Sequence, residues 1–270
     1  MSAFSQITKY DQYNERMARG MLDKIFFVDK VDAHVFVDFG CADGTLFQYM
    51  RPYLPEALFV GYDSDKAMCD KARDNCNDKD SRGFTAVYNH WTDVVSEIHR
   101  AKENKQKTCL ILSSVVHEVY HYSAPEAIDE FWKNVFEVEF DTIVLRDMIP
   151  SESVDRNADI ADVAKVLHKY RETKELKDFE RRWGSIQSNK NLLHFLLKYK
   201  YTTPNWEREV KENYLPLYWE DLMAMLPPAY DVLYHEHYAL PYLKRSIRQD
   251  FGIELKDETH LKLILERKCK

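Results

Sequence analysis

The sequence predicts an α/β fold: a doubly wound, mostly parallel sheet, with a helical insertion between strands five and six. Three observations carry this. Short apolar, β-branched runs alternate with amphipathic stretches through residues 34–150. The alternation stops over 151–228, where the pattern is helical throughout. Strand character returns at "YDVLYHEHY" (230–238) and "THLKLILER" (259–267). Strands separated by helices at this spacing pair in parallel through right-handed crossovers.

The elements follow in order. "HVFVDFG" (34–40) is a buried strand ending in Gly, and "GTLFQYMRPYLP" a helix stopped by Pro55. "ALFVGYD" (57–63) is the second strand; "SDKAMCDKARDNC" follows as a helix capped by Ser64 or Asp65. "GFTAVYN" (83–89) and "TCLILSSVV" (108–116) are strands three and four, with the helix "TDVVSEIHRAKENK" between them. "SAPEAIDEFWKNVFEV" has Pro125 placed for a first helical turn, and "FDTIVLRDMIP" (140–150) is strand five. In the insertion, "LLHFLLKYKY" and "WEREVKENYLPLYWEDLMAML" are the clearest helical pieces. Three segments result: an N-terminal helical lid (1–33), a sheet domain from 34–150 and 229–270, and a helical cap (151–228).

Composition narrows the function classes. No apolar run reaches the ~18 residues of a membrane span, and "MSAFSQITKYDQYNERMARG" has no signal-peptide core. The five cysteines form no C-x-x-C, which fits reduced thiols and a cytoplasmic setting. Net charge is −7, yet residues 164–216 hold twelve Lys/Arg against seven Asp/Glu. A basic segment on an acidic body suits an anionic acceptor; the alternative is a solvated helical face.

The loop after strand one reads Asp38-Phe39-Gly40-Cys41-Ala42-Asp43-Gly44. A Gly-rich turn between strand and helix lets a ligand approach the backbone at a helix N-terminus. Asp63, at the end of strand two, is placed to accept both hydroxyls of a ribose. A dinucleotide fingerprint would need Gly at 42 and 45, where Ala and Thr stand, and no P-loop occurs. "VDFGCADG" instead resembles motif I, D-x-G-x-x-x-G, of the class I S-adenosylmethionine-dependent methyltransferases, with Ala42 at the usual middle glycine. The resemblance spans about residues 30–150 and the two closing strands. It implies a seven-stranded sheet with an antiparallel last strand, and S-adenosyl-L-methionine as cofactor. It also implies residue roles: Asp38 near the methionine amino group, Gly40, Cys41 and Gly44 lining methionine and ribose, and Asp63 on the ribose diol. Ser64 would flank the adenine, Asn89, His90 and Trp91 would close over it, and Ser113 would stand at the end of strand four. Trp91 has a second reading as a core aromatic, and Asp43 one as a turn-holder. Tyr10 and Tyr13 are candidate lid residues, with plain packing as the alternative.

"SSVVHEVYHYS" (113–123) contains a literal H-E-x-x-H. In a zinc protease both histidines lie on one face of an established helix. Here "TCLILSSVV" precedes the motif and reads as strand, so the stretch is expected at the C-terminal end of strand four. Open α/β sheets bind ligands there. His117 and Glu118 are therefore the candidate catalytic pair, as acid–base or acceptor-orienting groups, and Asp147, at the end of strand five after Arg146, is a further rim residue. No metal site is expected. A looser alternative resembles RNA 3′-end methyltransferases, with Glu118 and His121 around a divalent ion and His235 and His237 adding ligands.

The resemblance implies an acceptor oxygen or nitrogen, on a small molecule or on a nucleotide or RNA. [DNS]-P-P-[YFW] after strand four and a Pro-Cys dipeptide are both absent, so the common DNA-methylating chemistries lack their residues. "ERRWGSIQSNK" and "KYKYTTPNWERE" could contact nucleic acid through phosphates and stacking, or cover a small molecule. A protein that binds the cofactor without catalysis is the alternative from another class.

Overall fold

The computed structural model describes residues 20–76, 85–201 and 205–268. Its strands are β1 (Val35–Phe39), β2 (Leu58–Tyr62), β3 (Thr85–Tyr88), β4 (Thr108–Ser113), β5 (Thr142–Asp147), β6 (Tyr230–Tyr238) and β7 (His260–Arg267). They form one seven-stranded sheet of order β3-β2-β1-β4-β5-β7-β6. The pairings from β3 through β5 are parallel, and β7 runs antiparallel to both β5 and β6. This is the expected sheet, including its antiparallel last strand. The strand order reverses between β1 and β4, so a crevice opens at their C-terminal ends.

Helices α1 (Thr45–Met50), α2 (Lys66–Cys76), α3 (Trp91–Glu103), α4 (Val116–Tyr122) and α5 (Pro125–Glu137) connect the first five strands. Strand alternation sends Val35 and Val37 to one face and Phe36 to the other. The first face packs on α3 and α5 through Val94, Ile98, Phe131 and Val135. The second packs on α1, α2 and the N-terminal segment through Phe47, Met50, Cys69 and Phe27. Each such side chain is worth about 1.5–3 kcal/mol on burial. Both faces are covered, as a parallel sheet requires.

The insertion comprises a 3-10 turn (Glu152–Val154), α6 (Ile160–Tyr170), α7 (Lys174–Trp183), α8 (Asn189–Lys198), α9 (Trp206–Glu209) and α10 (Trp219–Met225). The long run from 206 is thus two short helices. An Asn213 side chain that accepts from the Leu215 amide, followed by Pro216, breaks it. One further helix, α11 (Pro241–Phe251), lies between β6 and β7 and was not expected. Pro241 starts it, Gly252 at φ +66° ends it, and Leu243, Ile247 and Phe251 form its buried face. That face shares a core with Val166, Phe179 and Phe195 of the insertion, so the cap is tied to the sheet between β6 and β7.

Candidate functional site

The turn after β1 is built for close approach. Gly40 and Gly44 have φ of +78° and +76°, and Ala42 between them has φ +46°. The amides of Gly40 and Cys41 both donate to the Tyr62 carbonyl, which pins the turn to the end of β2. A Cβ on Gly40 would stand 2.9 Å from Val115 Cγ2, so both conformation and space require glycine. Asp43 accepts from the Thr45 amide (3.1 Å) and hydroxyl (2.6 Å), the turn-holding reading. Cys41 is buried with its sulfur against Gly61, so only its backbone borders the turn's open side. Gly40→Val should lower the melting temperature and abolish cofactor binding; a variant of normal stability and affinity would show that the turn has been misassigned.

Asp63 ends β2 beside this turn. Its Oδ2 accepts the Ala42 amide at 2.9 Å, and its Oδ1 accepts the Asp65 amide at 2.9 Å. Carboxylate and turn are thus joined, and each oxygen keeps a second lone pair. Ser64 is exposed, and Asp65 rather than Ser64 caps α2, accepting from the Ala67 amide. Asn89 and His90 lie in the bend before α3, and His90 is its N-cap residue without a side-chain cap bond. Trp91 packs edge-on against Phe39 (5.3 Å) and Tyr62 (5.4 Å), with Phe131 beyond Phe39. These four rings line a groove of about 190 Å³ between α3 and α5.

Asp38 shares the face of Phe36 and is only 4% exposed. Its carboxylate accepts no hydrogen bond among the described residues. Burial pushes its pKa up to about 7, against the attraction of Lys24 and helped by Asp63. Ser113, at the end of β4, has a buried hydroxyl with no partner among the described residues. Unpaired buried polar groups of this kind are costly unless a ligand satisfies them. Tyr10 and Tyr13 lie outside the described residues.

The H-E-x-x-H stretch is not an extension of β4. It lies on α4, a seven-residue helix, which corrects the sequence expectation. Ser114 takes φ +57°, the chain turns sharply, and Asp147 from β5 accepts the amides of Val116 and His117 at 2.8 and 3.2 Å. The cap that starts the helix comes from thirty residues away in sequence, so nothing local announces it. His117 Nδ1 lies 2.7 Å from Asp147 Oδ1, with the two side chains 8% and 0% exposed. Burial opposes charge on both, but their mutual attraction prevails. The pKa of His117 is raised, and that of Asp147 falls to about 2. Glu118 is exposed along the cleft; its loss of hydration there raises its pKa, opposed by His117 and reinforced by Glu212 and Asp147.

The insertion closes one wall. The Tyr214 ring meets the His117 ring edge-on at 5.7 Å, and Glu212 accepts from the Tyr122 hydroxyl at 2.9 Å. Behind them Lys198, fully buried, donates to the carbonyls of Glu209 and Glu212 and lies 4.0 Å from the Tyr214 ring centre. Much of the basic run forms ion pairs with its own neighbours: Lys165–Asp162, Lys174–Asp178, Lys177–Glu172, Arg181–Asp178 and Arg208–Glu209. Among the described residues no three His, Cys, Asp or Glu side chains gather at metal-binding spacing. His235 and His237 pack around Trp219 instead.

Sequence reasoning named Asp147 only as a rim residue and missed Lys24, Glu212 and Tyr214. Asp147 had a signal, an acid at the C-terminal end of a strand. The other three are brought in by packing and carry no local motif.

No helix among the described residues is long and apolar enough to cross a membrane. No protein-family model and no curated protein matches the chain in sequence. Solved structures match it in fold. The plantazolicin methyltransferase BpumL, in complex with a pentazolic desmethylPZN analog and SAH, is 12% identical with a TM-score of 0.51, over 97% of this chain and 89% of that one. A SAM-dependent methyltransferase from Methanosarcina mazei is 11% identical with a TM-score of 0.50, over 91% of this chain and 98% of that one. With its strand order, its reversed seventh strand and its glycine turn after β1, the chain has the class I S-adenosylmethionine-dependent methyltransferase fold.

Proposed function

We propose that the protein is a methyltransferase that moves the methyl group of S-adenosyl-L-methionine to an oxygen or nitrogen, with His117 as general base. The observation that carries this reading is the buried His117–Asp147 pair at the start of α4, beside the crevice where the strand order reverses. Asp147 holds the proton on Nδ1 and leaves Nε2 with its lone pair. An acceptor O–H or N–H can give its proton to Nε2 as the nucleophile attacks, and Asp147 stabilises the imidazolium that forms.

The residues present fit the cofactor. Gly40 and Gly44 hold the turn at positive φ, Asp38 is a buried acid whose carboxylate accepts no hydrogen bond among the described residues, and Ser113 has a buried hydroxyl with no partner among them. Asp63, beside the Ala42 amide, would hold the ribose hydroxyls, and Asn89, His90 and Trp91 would border the adenine. When bound, the cofactor supplies an electrophilic methyl on a sulfonium. Orientation of the acceptor then falls to Glu118, Glu212 and Tyr214, the groups around His117. Those groups are acidic or neutral, so an oxygen or nitrogen that carries a hydrogen-bond donor suits the cleft, whether on a small molecule or a nucleotide.

The test is isothermal titration with S-adenosylhomocysteine, followed by incubation with methyl-labelled S-adenosylmethionine and a panel of hydroxyl and amine acceptors. Binding with transfer supports the reading. Binding without transfer across the panel favours a non-catalytic cofactor binder, and absence of binding removes the reading. Asp63→Ala should weaken S-adenosylhomocysteine binding about tenfold or more, roughly the 1.5–3 kcal/mol of a charged hydrogen bond. Unchanged affinity in the calorimeter would contradict the ribose role.

A further inference from the structure

Consecutive residues of β5 hold the two ends of the turn that carries His117. Alternation along the strand sends Arg146 to the face where Asp23 of the N-terminal segment lies, and Asp147 to the opposite face, under α4. Arg146 holds the first end. Its carbonyl accepts the Ser114 amide at 2.8 Å, and its Nη1 donates to Ser114 Oγ at 3.0 Å. Asp147 holds the second end, through the amides of Val116 and His117 and the His117 ring. Only Val115 stands between, and its side chain packs against Gly40.

Ser114 has φ +57°, a conformation in which a side chain is disfavoured. Such a residue keeps its place only where the surroundings over-determine it. The bond to its hydroxyl is such a restraint, because the guanidinium that makes it is itself fixed. Arg146 is buried. Asp23, in the helical turn over residues 20–24, accepts from Arg146 Nε at 2.9 Å, and Nη2 lies 2.8 Å from the same oxygen. The Tyr238 hydroxyl at 2.5 Å and Lys262 Nζ at 2.9 Å anchor Asp23 in turn. A line of contacts therefore runs from the N-terminal segment, through one guanidinium, to the turn before α4. Arginine suits this task, since its rigid fork grips two partners at once and a lysine ammonium does not.

We infer that Arg146 is a positioning residue for the transfer: it holds Ser114 in its left-handed conformation and so sets where His117 stands, while Asp23 keeps the guanidinium in place. This rests on the reading of His117 as the general base. If Ser114 relaxed to an ordinary conformation, the chain would leave β4 in another direction. The amides of Val116 and His117 would then no longer both face Asp147. Proton transfer needs hydrogen-bond reach, so a base displaced in this way loses much of its effect.

The serine carries the test, because removing Arg146 would strand the Asp23 carboxylate. Ser114→Ala removes the hydroxyl and keeps the Cβ; Ser114→Gly removes the hydroxyl and also the need for a restraint. Neither changes a charge. Two quantities are measured on each variant: hydrogen exchange of the Val116 and His117 amides, which needs no acceptor, and kcat with S-adenosylmethionine and the best acceptor of the panel above. Ser114→Ala should exchange both amides about tenfold faster and lower kcat about tenfold, whereas Ser114→Gly should keep both within about threefold of wild type. Asp23→Asn should lower kcat about fivefold alone and less than about twofold when added to Ser114→Gly, because its effect passes through the restraint that glycine makes unnecessary. General destabilisation would cost the same in both backgrounds. Wild-type behaviour of Ser114→Ala, equal damage from alanine and glycine, or an equal cost of Asp23→Asn in both backgrounds overturns the positioning role and leaves the base reading standing. If the wild type transfers no methyl group, or His117→Asn is as active as wild type, the base reading falls and the positioning role with it, even where the exchange rates follow the prediction.

Discussion

His117→Asn should lower turnover by ~10²–10⁴-fold, the usual contribution of a general base, while S-adenosylhomocysteine affinity stays within about twofold of wild type. Asparagine is the informative replacement. Its side-chain amide can still donate to Asp147 Oδ1, where His117 Nδ1 stands at 2.7 Å, so the buried acid keeps a partner. What the substitution removes is the distal nitrogen. A structural histidine would lose little by this exchange; a base would lose most of its activity. Equal turnover in the variant would return His117 to the role of a helix anchor. Loss of cofactor affinity in parallel would mean that the change disturbs the cleft as a whole.

The same pair should set the pH profile. A base must be deprotonated to act, and Asp147 raises the pKa of His117 above its ordinary value near 6.5. The kcat/KM of the wild type should therefore climb with pH through an inflection above that value. Burial raises the pKa of Glu118 above the ordinary carboxylate value, opposed by His117. A profile flat from pH 6 to 9 would argue that orientation, and not proton removal, limits the transfer.

How much of this could be read from the residues alone depends on the range of the interactions. The sheet was legible because its signals are local. "HVFVDFG", "ALFVGYD" and "FDTIVLRD" are β-branched and apolar in short runs, and the helices between them repeat apolar residues every three to four positions. The turn after β1 was legible because Gly40 and Gly44 meet a backbone demand that few other residues satisfy. The helix α4 was not, because its cap, Asp147, arrives from the neighbouring strand and Ser114 adopts a left-handed conformation unusual for serine. Helix α11 had its punctuation in plain view, Pro241 before it and Gly252 after it, with Leu243, Ile247 and Phe251 four apart. Lys24, Glu212 and Tyr214 reach the cleft through tertiary packing. A basic run can be counted in a sequence, but which of its charges are already paired with neighbours cannot.

Asp147→Ala should be the most destabilising single substitution at the site, by about 3–5 kcal/mol, the cost of breaking a buried ion pair by removing one partner. That is on the order of 10 °C in melting temperature for a chain of this size. Four groups lose their acceptor at once: the amides of Val116, His117 and Met148, and His117 Nδ1. The effect should depend on pH in a way that identifies its source. Asp147, held at about 2 in the fold, contributes stability that is present above its unfolded value of roughly 4 and is lost as pH falls toward 2. His117, with its pKa raised, contributes stability that is fully present below about 6.5 and fades as pH rises through its folded value. The difference between wild type and variant should therefore be largest between about pH 4 and 6.5, narrow steeply below, and narrow partly above, where the helix amides still bind the carboxylate. Denaturant titrations at pH 3, 5.5 and 9 measure all three regimes. A difference constant across them would mean that the carboxylate acts only as a neutral cap for α4, and a difference under 1 kcal/mol at pH 5.5 would mean that the pair does not hold the cleft together.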